Sequence, residues 1–92
     1  MLLKFSENKS RAGDFMDGHK AWLQRGFDDG IFLLAGSLLP GLGGVIVAND
    51  VTHDALQVLV DEDPFVTANV VAAEIVEIEP SRADGRLAFL LG

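Results

Sequence analysis

Apolar and polar positions change period several times along the chain, and each change marks an element. Leu2, Leu3 and Phe5 predict an opening strand, ended by the polar run Ser6-Glu7-Asn8-Lys9-Ser10. From Asp14 to Asp29 the period lengthens. Phe15, His19, Trp22, Leu23 and Gly26 recur at spacings of three and four, one face of a helix that Gly30 is placed to stop.

Ile31 to Asn49 carries no charge and approaches the length of a membrane-spanning helix. Pro40, Gly41, Gly43 and Gly44 fall in its middle, where they break a helix and suit a turn. The run therefore reads as a hairpin, with strands at Ile31 to Leu38 and Val45 to Ala48 and no membrane segment.

A second helix is expected from Thr52, a plausible N-cap, with Asp54 in the first turn where the helix dipole favours negative charge. Its buried stripe is Ala55, Leu56, Leu59 and Val60. It ends at Asp63, because Pro64 disfavours helical geometry in the residue before it. A single turn, Pro64 to Ala68, leads to a last strand, Val70 to Ile78, apolar on both alternating sets.

The order strand, helix, strand, strand, helix, strand predicts an α+β, ferredoxin-like βαββαβ domain: a four-stranded antiparallel sheet with two helices on one face. The uncovered face needs a partner, so a homodimer or higher homo-oligomer is expected, with a cavity at the seam between sheets. The domain covers residues 1–80. In the extension, residues 81–92, a polar linker precedes the apolar run Leu87 to Leu91, expected to dock on the body or on a neighbouring subunit.

Composition narrows the partners. The chain has 92 residues, 49% of them hydrophobic, and a net charge of -7 that repels phosphate backbones and anionic membranes. No nucleic acid and no membrane are expected as partners. With no cysteine and no N-terminal apolar run of useful length, a cytoplasmic location is expected. The two histidines form no HxH or HxxxH pair, so no metal site is expected. Gly41-Leu42-Gly43-Gly44 joins two strands and lacks a following Lys, so it is not a phosphate cradle and no cofactor is implied.

His19-Lys20-Ala21-Trp22-Leu23 with Gly30, Ala35-Gly36-Ser37-Leu38, and Asp63-Pro64-Phe65 together resemble the YciI-like (YCII-related) family across about residues 1–80. That family is similar to dimeric ferredoxin-like α+β barrels. The resemblance implies a pocket lined by a histidine and an aspartate, here His19 and Asp63. Many members carry an arginine shortly before that histidine. Met16 and Asp17 occupy that stretch here, and Arg11 is the nearest upstream. Ser37 and the extension after Pro80 are further departures from the family pattern.

Each candidate has a plainer reading. His19 can exchange protons with a ligand, oriented by a carboxylate, or can be a core histidine on a helix stripe. Asp63 can be that carboxylate or a cap before Pro64. Ser37 can orient a ligand that Gly36 lets close to the strand, or bond only to water or backbone. Glu74 interrupts an apolar set and can point into the cavity or lie on a polar rim. Trp22 and Phe65 can stack on a ligand or fill the core. Arg11 can reach the pocket from its loop.

Two functions follow from the resemblance. One is a cofactor-independent enzyme using the His19/Asp63 acid–base pair on a small organic substrate, of elimination or isomerisation type. The alternative is a non-catalytic module that binds a small ligand or another protein. The sequence leaves open whether the chain is catalytic.

Overall fold

In the computed structural model, which describes residues 1–92, β1 (Leu2–Phe5) is an inner strand of one four-stranded antiparallel sheet. With β2 (Phe32–Leu38), β3 (Gly43–Ala48) and β4 (Val71–Glu74), the order across the sheet is β2-β3-β1-β4. Leu3 lies opposite Gly44 on one side and Ala73 on the other, which fixes which residues share a face. This is the ferredoxin-like α+β arrangement that the element order predicts.

α1 (Ala12–Asp28), α2 (His53–Asp61) and the single turn α3 (Pro64–Thr67) pack on one face of the sheet. Leu3, Phe32, Ile46 and Val71 from the strands meet Trp22, Leu56, Val60 and Phe65 from the helices in one core. Burying each such aliphatic or phenyl side chain contributes roughly 1.5–3 kcal/mol. Trp22 is fully buried, and its indole N–H donates to the Leu59 carbonyl at 2.8 Å, so α1 and α2 are hooked together through the core. The Thr52 hydroxyl caps α2 by accepting from Ala55 N–H at 3.1 Å.

Several boundaries differ from the periodicity. α1 starts at Ala12, because a 3-10 turn at Lys9–Arg11 feeds directly into it. Ala55 is exposed, and only Leu56 and Val60 of the expected stripe are buried. The last strand stops at Glu74 and does not reach Ile78. Glu74 lies opposite Leu2, the first residue of β1, and the paired ladder ends there.

The other sheet face carries no helix. Leu34 and Val47 are 59% and 41% exposed there, beside the ion pair Lys4–Glu74 at 3.8 Å. In the extension, Leu90 shares the wall of a cavity with Met1, Ile46 and Leu56, while Leu87, Phe89 and Leu91 remain about half exposed. Its turn starts at Asp84, whose carboxyl is held below the usual range by hydrogen bonds from the Arg86 backbone N–H and then its guanidinium. No helix is long and apolar enough to cross a membrane.

Candidate functional site

Two sequence features bring His19 to Asp63, 44 residues apart. Asp63 precedes a proline, so its backbone is extended (φ -65°, ψ 122°) and its carboxylate turns back to accept the Phe65 N–H at 3.0 Å. Gly18, next to His19 on α1, faces that same turn. A Cβ added there would lie 3.0 Å from Pro64 Cγ, so the glycine lets α1 approach α3 more closely than a larger residue would without a small shift of the proline.

The result is a bond of 2.8 Å between His19 Nδ1 and Asp63 Oδ1. Asp63 is fully buried and the His19 side chain is 13% exposed. Oδ1 serves both His19 and the Phe65 N–H, while Oδ2 is buried with no partner. A buried carboxylate with a free oxygen is costly unless a donor or a positive charge lies against it. His19 is that neighbour.

An ionised carboxylate only accepts hydrogen bonds, so the proton of the neutral imidazole belongs on Nδ1 and the lone pair on Nε2. The ring cannot tilt freely, because it stacks on Phe65 with centroids 4.0 Å apart and planes 4° apart. It forms part of the wall of a cavity of about 170 Å³ between α1 and the sheet. Phe5, Met16, Phe65 and Val71 make that wall apolar, and His19 is its one titratable side chain. Such a site can bind a small organic molecule and exchange one proton with it.

Of the residues singled out from sequence, His19, Ser37, Gly36 and Phe65 line this cavity, and Asp63 stands behind His19. Three others do not. Trp22 is core, its N–H spent on Leu59. Arg11 lies along Asp14 at 3.4 Å and over the Phe15 ring, at the start of α1. Glu74 is on the opposite sheet face with Lys4, because it alternates with Ala73, the neighbour of buried Leu3.

Sequence reasoning missed Met16, Phe5 and the pair Gly43 and Gly44 as cavity residues. Met16 precedes His19 by three positions and so shares its helix face, a signal present in the sequence. The two glycines were legible only as a turn. No group of three or more His, Asp or Glu side chains converges in a way that could hold a metal ion.

Comparison with protein-family models, with curated proteins and with solved structures returns no match.

Proposed function

We propose that the chain is a YciI-like protein in which His19 Nε2 acts as general acid/base on a small organic molecule, oriented by Asp63. The observation that carries this reading is the 2.8 Å contact of His19 Nδ1 with a fully buried carboxylate, at the wall of a cavity. The lone pair on Nε2 takes a proton from a C–H next to an electron-withdrawing group. The imidazolium returns it to another atom in an isomerisation, or gives it to the departing group in an elimination. Asp63 stabilises the imidazolium in between.

The same reading includes a homodimer formed through the helix-free sheet face. In a chain of net charge -7, the charged residues of those strands on that face are the paired Lys4 and Glu74, so two copies can meet there without strong repulsion. The second reading, a non-catalytic ligand-binding module, is favoured by one feature: the cavity wall holds a single titratable group.

The test is deuterium exchange in D2O, followed by NMR, across a panel of small carbonyl compounds with acidic C–H bonds. Exchange by the native chain that vanishes in His19→Asn, with melting temperature and association unchanged, is the expected outcome. Equal exchange by both proteins would refute the acid/base role. Ligand binding without exchange would favour the module.

A further inference from the structure

Directly opposed residues of an antiparallel pair put their side chains on the same face, so Ser37 of β2, Gly44 of β3 and Leu3 of β1 form one row across the sheet. Leu3 belongs to the core, which places the row on the face that the helices cover. All three residues line the cavity of about 170 Å³ that His19 walls from α1. Between a hydroxyl on one side and an isobutyl group on the other, Gly44 contributes only backbone, and that backbone is the cavity floor.

The two consecutive glycines here have different reasons to be glycine. Gly43 has a φ of +139°, and a Cβ on it would run into the Leu3 carbonyl oxygen, so the backbone requires it. Gly44 has no positive φ, and a Cβ on it would meet only the Gly36 carbonyl oxygen, at 3.4 Å. The fold would accept a side chain at Gly44, and what that side chain would take up is cavity. A glycine inside a strand forfeits packing and marks a place where another group comes close to the backbone. Ser37 beside it points to what that group is. The Thr52 and Thr67 hydroxyls each bond to a backbone atom, whereas the Ser37 hydroxyl, exposed on the cavity wall, has no partner in the chain.

We propose that Ser37 and Gly44 set the ligand class of this cavity: a small neutral carbonyl compound lies over Gly44, and its oxygen accepts the Ser37 O–H. This rests on the reading of the His19 cavity as the ligand site and adds a second contact to it. No Lys or Arg lines the wall, and the Asp63 carboxylate stands behind His19, so a carboxylate ligand would meet no counter-charge there. In so small a space one molecule can touch both Ser37 and His19. A C–H beside the carbonyl gives its proton to His19 Nε2, the C–H electron pair forms a carbon–carbon double bond, and the carbonyl π pair moves to oxygen. The Ser37 O–H keeps its proton and donates to that developing oxyanion, and Nε2 then returns its proton to carbon.

The test uses the full chain and three probes of nearly equal shape: 2-butanone, propanoate and 2-methyl-1-butene. NMR shifts of the Ser37 and Gly44 amides report binding, and deuterium exchange into butanone in D2O reports proton transfer. Butanone is expected to bind more tightly than either of the others. Ser37→Ala should weaken butanone about three- to tenfold, the effect of one neutral hydrogen bond, and leave the alkene unchanged. Gly44→Ala should weaken both ketone and alkene with the melting temperature unchanged or higher. Butanone and alkene bound alike by the native chain, or butanone bound equally by Ser37→Ala, overturns the Ser37 contact. Tighter binding of propanoate than of butanone overturns the neutral class, and native affinity in Gly44→Ala overturns the floor. His19→Asn tells this proposal from the acid/base role: butanone bound by the variant as tightly as by the native chain, without exchange in either, refutes that role and leaves the Ser37 contact standing.

Discussion

The imidazole of His19 lies flat on the ring of Phe65, with centroids 4.0 Å and planes 4° apart, while its Nδ1 is held by the carboxylate that caps the turn bearing Phe65. One short turn thus supplies both the edge partner and the face partner of the histidine. Asp63 fixes the ring's tautomer, and Phe65 fixes its plane.

Replacing Phe65 by Leu should separate these effects. Loss of the aromatic contact costs about 0.5–1.5 kcal/mol beyond the change in buried area. The core keeps an apolar side chain, so the fold survives with a melting temperature lower by several degrees. The histidine ring should then sample several orientations, seen as line broadening of its carbon-bound protons in NMR. Sharp, unshifted His19 resonances in the variant would show that Phe65 does not set the ring plane.

Asp63 has two acceptors' worth of work on one oxygen, and two substitutions divide it. Asp63→Ala removes the cap, worth about 1 kcal/mol, and the charged hydrogen bond to His19, worth roughly 1.5–3 kcal/mol. A total loss of about 2–4 kcal/mol is expected in urea denaturation. Asp63→Asn retains a cap acceptor and should cost visibly less. Equal losses for Ala and Asn would mean that the cap contributes nothing here.

The fold was legible because the chain's period switches from two to near 3.6 and back at positions marked by Gly30, Thr52 and Pro64. Each boundary residue has a local chemical reason to lie where it does. The end of β4 was not legible, since it depends on where β1 begins to pair, 72 residues earlier than Glu74 in the ladder Leu2–Glu74. The site was legible in part. Capping by Asp63 follows from the proline after it, but contact with His19 is a tertiary event that no spacing encodes, and it entered through family resemblance. Which face Glu74 takes was not legible, because a strand apolar on both faces does not say which face meets the helices.

Gly18 and Gly13 both lie in α1, and comparing them isolates the approach of that helix to Pro64. A Cβ at Gly13 meets nothing within 4 Å, so Gly13→Ala should stabilise the helix by up to about 0.5–1 kcal/mol. At Gly18 the same propensity gain is opposed by contact with Pro64 Cγ at 3.0 Å, and the proline is held by the Asp63 cap. Gly18→Ala should therefore be neutral or destabilising, and should lengthen the His19–Asp63 bond, shifting the His19 ring nitrogen signals. A clear gain of stability at both positions would show that the α1–α3 contact is loose.

Lys4 tests the association of copies through the open sheet face. Its ion pair with Glu74 is more than half exposed on both partners, so within one copy it is worth about 0–1 kcal/mol. Lys4→Glu therefore leaves the monomer fold nearly intact. It also turns a neutral pair into two adjacent carboxylates, and in a face-to-face dimer related by a two-fold axis those charges are doubled within the interface. Excess like charge that is not exposed to water is far more costly than the same charge on a surface, so the variant should dissociate at concentrations where the native chain is dimeric. Sedimentation velocity across a concentration series, with a melting curve beside it, separates the outcomes. Dissociation with an unchanged monomer fold locates the interface on this face. A Lys4→Glu dimer as tight as the native one places it elsewhere, and a native chain that is monomeric throughout refutes the dimer.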